Sequence, residues 1–352
     1  MMRNWLFFIL YSSFFIFLLS ACEHRELVDP NTGHYLRIYL DEEIKNVTCG
    51  FYDESLKRPE YNRPYVMRVV LADPESGRIV SERYFQSRGQ DERGYYIDGY
   101  ITAKAGTYNL LVYNFGSAVT LIRNEQDYYN MQAYTKPVGS HYLQYLHTSR
   151  QEIDEKTIVN EPEHLFHDVG EPIVIPMSNK VDTLKNASGD YFTAHSVVKS
   201  YYLQLRIKGI EWVKSAASVM SGMAEATVLH GHEQMVTTNP VNLFFTMEYT
   251  GKEVARDGSS STALLYTTFS TFGKLPNEQT MLTLNFEFTK KDGTSQVEKI
   301  DITSMFDTPM VKDNQWILLE HEIVITPPEG AGTGGMTPGV DKWDNVESDI
   351  QM

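Results

Sequence analysis

Two histidine-containing segments bring side chains of metal-binding type close together in this sequence. His164 and His167 are three residues apart and precede Asp168, and the segment 230–233 reads His-Gly-His-Glu. A zinc site needs three or four ligands in a closed geometry, and neither segment has an obvious partner pair elsewhere. We therefore expect surface or loop histidines, with no metal and no cofactor.

Catalytic signatures are missing from the sequence as well. It contains no G-x-S-x-G nucleophile elbow and no glycine loop of the kind that cradles phosphate. Asp41, Glu42 and Glu43 are consecutive, which is typical of a solvated acidic run, and no loop has the alternating oxygen ligands of a calcium site. We expect a protein that is not an enzyme and has no catalytic residue.

The strongest chemical signal lies at the start of the chain. Arg3 is the only charge before Glu23, and an apolar run follows at 5–19, ending in Ser20-Ala21. Crossing the hydrocarbon core takes about 20 apolar residues, and this run is shorter. A positive start, a short apolar core and small residues predict a secretory signal peptide over residues 1–21.

Cys22 follows the signal directly. The tetrapeptide Leu-Ser-Ala-Cys at 19–22 resembles the lipobox of bacterial lipoproteins, whose cysteine becomes lipid-modified and N-terminal. Each buried CH₂ contributes about 0.8 kcal/mol, and stable anchoring needs more than one chain. Residue 23 is Glu rather than Asp, which favours the outer membrane, although the side that the protein faces stays open.

The composition limits the partners. The chain has 46 Asp and Glu against 31 Lys and Arg, a formal net charge of −15, and shows no basic patch. This argues against nucleic acid and against binding anionic lipid by charge alone. With Cys22 lipidated, Cys49 is left unpaired, so the exported chain relies on its hydrophobic core, to which 22 Tyr and 17 Phe contribute.

Strand patterns fill the first half of the chain. We predict strands at 34–40, 66–71, 79–85, 95–103 and 171–176, with a turn at 72–78. The stretch 105–116 is apolar on both faces, which indicates a central strand packed on two sides. Residues 124–168 contain many tyrosines without a clean period, and we expect a loop with short helical pieces there.

The second half alternates more regularly. Period two at 201–208, 241–249 and 282–288 is the signature of half-buried strands. Asp292-Gly293 favours a hairpin between strands 280–289 and 295–303, and 316–325 is the last long strand. Many short strands and few helical patterns predict an all-β protein built of β-sandwiches.

Several stretches together resemble one family. They are the lipobox with CEHRELVDP behind it, AGTYNLLVYNFG at 105–116, SVMSGMAEATVL at 218–229, TTFSTFG at 267–273, TLNFEFTKKDG at 283–293 and the ending VDKWDNVESDI. This set is similar to the fimbrillin-like lipoproteins of Bacteroidetes, in a branch related to the anchor and accessory subunits of type V fimbriae. The resemblance implies two transthyretin-like (Greek-key) β-sandwich domains, an outer-membrane anchor and a part in pilus assembly or adhesion.

The expected organisation has five parts. After the signal peptide come a tether at 22–33, an N-terminal sandwich at 34–185, a C-terminal sandwich at 190–328 and a Gly-rich linker with a terminal segment at 329–352. That segment has apolar residues at spacings of three and four. It is expected to be an integral strand, a removable cover of a sheet edge, or disordered. Other fimbrial subunits would join by strand addition.

A second function stays open beside the fimbrial one. Five tyrosines could form a platform that stacks on sugar rings, in a glycan-binding lipoprotein of a nutrient-uptake system: Tyr128, Tyr129, Tyr134, Tyr142 and Tyr145. We favour the interpretation that they pack the first domain, because large aromatics dominate sandwich cores. Pilin genes beside this one would favour the fimbrial function, and a TonB-dependent transporter with glycosidases the other.

Overall fold

The structure is a computed structural model that describes most of the chain from residue 33 onward. The described ranges are 33–41, 63–114, 118–146, 157–170, 172–177, 180–230, 235–253, 261–276, 280–314 and 316–328. Cys22, Cys49 and the segment 329–352 lie outside them. Within these ranges no helix is long and apolar enough to cross a membrane.

Strands dominate the described residues, which confirms the all-β prediction. In chain order they are β1 (Gly33–Leu40), β2 (Met67–Ala72), β3 (Ile79–Phe85), β4 (Ser87–Asp91), β5 (Gly94–Thr102), β6 (Gly106–Asn114), β7 (Thr120–Arg123), β8 (Gln132–Thr135), β9 (Ile158–Val159), β10 (Phe166–Val169), β11 (Ile173–Ile175), β12 (Phe192–Ser196), β13 (Lys199–Lys208), β14 (Val213–Ala224), β15 (Ala226–Val228), β16 (Met235–Val236), β17 (Pro240–Thr246), β18 (Glu248–Glu253), β19 (Thr262–Thr271), β20 (Thr283–Lys290), β21 (Ser295–Asp301) and β22 (Trp316–Val324). Short helices lie at Tyr128–Asn130, Ser140–Leu143, Ile210–Trp212, Thr303–Asp307 and Pro309–Asn314.

The first half of the chain forms one large sheet. Its strand order is β3-β2-β6-β10-β12-β1-β5-β4, and β11 pairs with the first part of β6. β1 lies between β5, which is antiparallel to it, and β12, which is parallel to it. Inward-facing residues of these strands form one core, which includes Leu36, Ile38, Val69, Val112 and Phe192.

β6 is the central strand that its sequence predicts. It pairs with β2 on one side and with β10 on the other. Leu110 and Val112 face the first core, whereas Leu111 and Tyr113 face a second core on the opposite side of the sheet. A small sheet of order β16-β15-β8-β7 covers this second core.

The second half of the chain forms a two-sheet sandwich. One sheet has the order β18-β19-β13-β22 and the other β21-β20-β14-β17-β9. The alternating residues of β13 pack inside it with stacked rings such as Phe245 and Phe269, whose centroids are 4.5 Å apart. The hairpin of β20 and β21 is confirmed, and Gly293 at its turn has φ +87°, a conformation that Gly adopts without strain.

Residues 124–168 depart from the predicted loop with helical pieces. Helical turns do occur at Tyr128–Asn130 and Ser140–Leu143, but the segment also contains β8, β9 and β10. β8 pairs with β15, and β9 pairs with β17. The prediction was therefore wrong for these strands, because their pairing partners come from the second half of the chain and no local period marks them.

Contacts connect the two halves of the described chain. Glu161 accepts a hydrogen bond from the backbone N–H of Ser270 on β19 at 2.8 Å. β12, which falls in the range 190–328 assigned to the C-terminal sandwich, pairs with β1 in the first sheet. The domain boundaries themselves remain a prediction.

Candidate functional site: an aromatic and charged cleft

The outward face of β1 and β5 carries a regular set of tyrosines and charges. Because side chains alternate along a strand, the residues between inward-facing Leu36 and Ile38 point away from the core. Cross-strand pairs on this face are Tyr35 with Tyr100, Arg37 with Asp98 and Tyr39 with Tyr96. We call these six side chains the tyrosine–arginine ladder.

Arg37 holds the ladder together. Its guanidinium carbon lies 3.9 Å from the centroid of the Tyr96 ring, within cation–π range. Its Nε donates to the Tyr35 hydroxyl at 3.1 Å, and its Nη1 donates to Asp91 Oδ2 at 3.1 Å. One half-buried arginine therefore joins β1, β4 and β5.

The tyrosine hydroxyls of the ladder donate to carboxylates. Tyr35 Oη donates to Asp98 Oδ2 at 2.5 Å, and Tyr39 Oη to Asp91 Oδ2 at 2.7 Å. Burial and then the bond to Asp98 raise the pKa of Tyr35 to about 12, and burial raises the pKa of Tyr39. Both phenols therefore stay neutral hydrogen-bond donors at physiological pH.

The ladder ends in a cleft where β1 lies between the starts of β5 and β12. Arg93 directly precedes β5 and Asp190 lies two residues before β12. They form a bidentate ion pair with Nη1–Oδ1 2.6 Å and Nη2–Oδ2 2.7 Å. The Arg93 guanidinium carbon is 5.5 Å from the centroid of Tyr39. Lys185 Nζ lies 3.1 Å from the centroid of Tyr191.

The electrostatics of this ion pair are those of an exposed site. The hydrogen bond from Arg93 lowers the pKa of Asp190 to about 2, so the carboxylate remains ionised throughout the physiological range. Both side chains are about half exposed, and exposed pairs contribute little to stability. The pair is therefore available to a ligand without a large cost to the fold.

The cleft has the size and lining of a small-molecule site. It encloses about 430 Å³, within the usual range for ligand pockets. Its lining includes Tyr39, Tyr95, Tyr191, Arg93, Asp190 and Asp41. Aromatic rings supply apolar surface, and the ion pair supplies donors and acceptors whose charges largely cancel. This chemistry suits a neutral ligand rich in hydroxyl groups.

The histidines that the sequence singled out lie elsewhere. His167 is on β10 opposite Tyr113 and His195, and His164 precedes the same strand. Burial lowers the pKa of both to about 4, so both imidazoles are neutral at physiological pH. The expected surface or loop position was wrong for His167, because it lies in a strand beneath the small sheet.

The structure gathers no metal-ligand set around these residues. Among the described residues, no three His, Cys, Asp or Glu side chains are grouped as a metal site requires. His230 packs its ring against Tyr128 and Tyr129, with centroids 6.0 and 5.9 Å away. His232 and Glu233 lie outside the described residues.

The five tyrosines of the predicted platform do not form one surface. Tyr128 is buried in the core beneath the small sheet, and Tyr134 lies 5.3 Å below the Arg123 guanidinium. Tyr142 and Tyr145 pack on the outer side of the five-stranded sheet, where Tyr142 meets Phe244. These last two therefore cover the second sandwich rather than the first sheet.

The ladder and the cleft were not found from the sequence. The signal that marks the ladder is a polar–aromatic alternation, Tyr-x-Arg-x-Tyr at 35–39 and Tyr-x-Asp-x-Tyr at 96–100. Both stretches were predicted as strands, but only the register of β1 against β5 shows that the two patterns lie opposite each other.

A family model covers the middle of the chain. The model described as "Domain of unknown function (DUF5119)" matches residues 59–246, more than half of the sequence. The chain belongs to this family. The match includes β2 to β17 and therefore both Arg93 and Asp190 of the cleft.

Relatives from Bacteroidetes extend over nearly the whole chain. A Bacteroides ovatus protein named "Putative fimbrium anchoring subunit Fim4B" is 24% identical over 97% of this chain and 97% of its own length. This confirms the resemblance to fimbrial anchor and accessory proteins.

Solved structures of bacterial adhesins and fimbrial proteins are similar to this chain. A "putative adhesin from Bacteroides ovatus" covers 88% of this chain and 98% of its own at a TM-score of 0.56 and 21% identity. "The fimbrial anchor protein Mfa2 from Porphyromonas gingivalis" covers 77% of this chain and 83% of its own at a TM-score of 0.43 and 12% identity. The first of these likenesses supports the all-β architecture over most of both chains.

Proposed function

We propose that this chain is a lipid-anchored, non-enzymatic subunit of the outer membrane that anchors or assists a fimbria. The observation that carries the proposal is the relative named as a fimbrium anchoring subunit, which matches 97% of both chains. A match of that extent supports a relationship over the whole of both chains rather than over one module.

The anchor is Cys22. Its support is the lipobox-like tetrapeptide at 19–22 directly after an apolar run. Lipid chains replace a membrane-spanning helix as the means of attachment. The mature chain then begins with a short tether at 22–33 and continues into two transthyretin-like sandwiches at 34–185 and 190–328.

Subunits join this protein by strand addition, in which an extended segment of a partner completes a sheet. The outer strands β4 and β21 pair regularly with their single neighbours in the described part of the chain. By contrast, the pairing of β22 with β13 is irregular. Its register shifts between Leu205 and Arg206 of β13, so that exposed Glu320 and His321 of β22 have no partner residues there. Bulges and charges of this kind protect an edge, so β4 and β21 are the better acceptors.

The terminal segment 340–352, which follows a Gly-rich stretch, is proposed to take part in this assembly as an integral strand or as a removable cover of a sheet edge. Deleting residues 330–352 separates its roles. A removable cover predicts self-association of the truncated protein, because an uncovered edge is adhesive. An integral strand predicts a lower melting temperature instead. A truncated protein that stays monomeric with an unchanged melting temperature would show that the segment has neither role.

The direct test is genetic. Deleting the gene should release fimbriae from cells into the medium, and the wild-type gene should restore attachment. Complementation with Cys22→Ser should leave fimbriae in the medium although the protein is made. Fimbriae that stay attached to cells of the deletion strain would refute the anchoring role.

A second candidate function is glycan binding, and the cleft is the observation that favours it. Saturation-transfer NMR with a panel of neutral oligosaccharides should show contact with the wild-type chain. Tyr191→Ala should weaken that contact, whereas Tyr100→Ala, at the end of the tyrosine–arginine ladder away from the cleft, should not. Equal signals from wild type and Tyr191→Ala would dismiss the cleft as the binding site.

A further inference from the structure

The end of the first sheet opposite the cleft is the end at which the chain enters the fold. β1 begins at Gly33, which pairs with Thr102 of β5. A Cβ placed on Gly33 would lie 3.6 Å from the Cβ of Tyr100. Tyr100 therefore stands directly beside the point where the N-terminal tether joins β1.

A second segment comes to the same end. Thr183 bridges Tyr35 in parallel, and the backbone N–H of Tyr35 donates to the carbonyl of Asp182 at 2.9 Å. Because the two segments run in parallel, Val181 lies on the side of this bridge toward Gly33. Ile175 of β11 pairs with Gly106 at the start of β6, so Met177 lies just beyond this end of the sheet. Two separate parts of the chain thus reach the end of the sheet at which β1 begins.

Both parts expose apolar side chains. The exposed fractions are Tyr100 59%, Val174 65%, Met177 76% and Val181 59%. Single exposed apolar residues are ordinary on a protein surface, whereas several at one place mark an interaction surface. We call these four residues the apolar end.

The charge at this end differs from that of the chain as a whole. The full sequence has 46 Asp and Glu, yet the segments 99–108 and 172–181 contain none. They contribute Lys104 and Lys180 instead. These two stretches are bounded by Glu171 and Asp182, and the tether contains Glu23, Glu26 and Asp29. The low acidity is therefore confined to the two stretches themselves, where repulsion from anionic lipid is reduced.

The tether is short enough to keep this end near a membrane. From Cys22 to Gly33 the chain spans at most about 40 Å when fully extended. Any lipid on Cys22 would therefore keep Gly33, at this end of the sheet, within about 40 Å of the bilayer surface.

We propose that the apolar end docks on the lipid bilayer, with Met177 and Val181 in the interfacial layer. This proposal rests on the proposed lipid attachment at Cys22. Docking holds β1 upright, with its eight residues spanning roughly 23 Å, and turns the cleft away from the membrane. The occupant is the bilayer surface, because apolar side chains flanked by lysines are the side chains that enter that layer.

The test uses the full lipidated chain in a Cys49→Ser background, so that one introduced thiol can take an environment-sensitive fluorophore. Labels are placed at Met177→Cys and Val181→Cys, and at Glu92→Cys beside the cleft as the matched control. The chain is reconstituted into vesicles of phosphatidylethanolamine and phosphatidylglycerol in equal parts. Nitroxide lipids should quench positions 177 and 181 by about twofold or more, as expected for interfacial insertion, and leave position 92 unchanged.

Flotation of the same vesicles separates the two proposals. A lipidated chain that floats while all three labels resist quenching overturns the docking and leaves the anchor intact. A chain that does not float, or a Cys22→Ser chain that floats equally well, overturns the anchor and the docking that rests on it. Labels at 177 and 181 that are shielded from aqueous iodide without lipid quenching would place a protein partner there and overturn the lipid assignment.

Discussion

The two ends of β1 differ in chemistry although one strand connects them. Near its start lie exposed apolar side chains, as Met177 and Val181 show. At its finish Arg93, Asp190 and Tyr191 form a charged and aromatic cleft. The inward residues are apolar from Leu36 to Leu40, and buried His34 lies at the start of the strand. The exposed character of each end is set by its outward residues. One sheet can therefore present two unlike surfaces without changing its core.

The two ends also differ in what they contribute to stability. The ladder that leads to the cleft joins three strands through hydrogen bonds and cation–π contacts of Arg37. The side chains of the apolar end are largely in solvent. Substitutions near the cleft should therefore change the free energy of unfolding, and substitutions at the apolar end should change location or binding only.

The largest effect is expected at the tether. Cys22→Ser removes the site for lipid, and stable membrane attachment needs more than one acyl chain. The variant should move from the membrane fraction to the soluble fraction and take up no fatty-acid label. A variant that is still labelled and still sediments with membranes would contradict the lipid anchor.

A smaller effect is expected in the ladder. Arg37→Met should lower the free energy of unfolding by about 1–3 kcal/mol, because it removes charge-assisted hydrogen bonds and one cation–π contact. Urea denaturation measures this loss. Lys104→Met, an exposed change near the other end, is the matched control and should stay within about 0.5 kcal/mol of wild type. Equal losses in both variants would show that the ladder adds nothing specific.

The ion pair of the cleft should have a modest, pH-dependent effect. The folded-state pKa of Asp190 is about 2, below the ordinary value of 3.8. The stabilisation by this carboxylate is therefore present above about pH 4 and is lost as the pH falls toward 2. Wild type should exceed Asp190→Asn in melting temperature at pH 7 and converge with it in strong acid. Added salt should narrow the gap. If the melting temperatures of wild type and Asp190→Asn still differ at pH 2, the difference does not come from the ionised carboxylate.

The smallest effect belongs to the apolar end in solution. Met177→Ser and Val181→Ser should each leave the unfolding free energy within about 0.5 kcal/mol of wild type, since both side chains are exposed. The same changes should reduce membrane contact if the bilayer covers this end. A clear loss of stability would mean that these side chains are packed by the protein itself.

Local pattern determined much of this protein. The signal with its cysteine is read from a few consecutive residues, and that prediction stands apart from the described fold. The strands follow from period two, and β6 was predicted as central because both of its faces are apolar. Asp292-Gly293 predicted the hairpin because its turn needs a backbone conformation that Gly allows. Each of these features depends on residues that are neighbours in sequence.

Only the tertiary structure decided which strands meet. β12 lies parallel to β1, and β9 joins a sheet from the other half of the chain. The alternation of apolar and polar residues predicts which side chains of a strand face inward, but it does not predict which other strand pairs with it. Gln204 alternates with apolar neighbours as if facing water, yet it is fully buried and donates to Tyr202.

The cleft is the clearest case of that limit. Arg93 and Asp190 are 97 residues apart, and each alone is an ordinary surface charge. They become a pair because β5 and β12 flank β1 on opposite sides, an arrangement set by packing across the whole sheet. Strand pairing at such separation is decided by the combined burial of many side chains, and no short stretch of sequence contains that information.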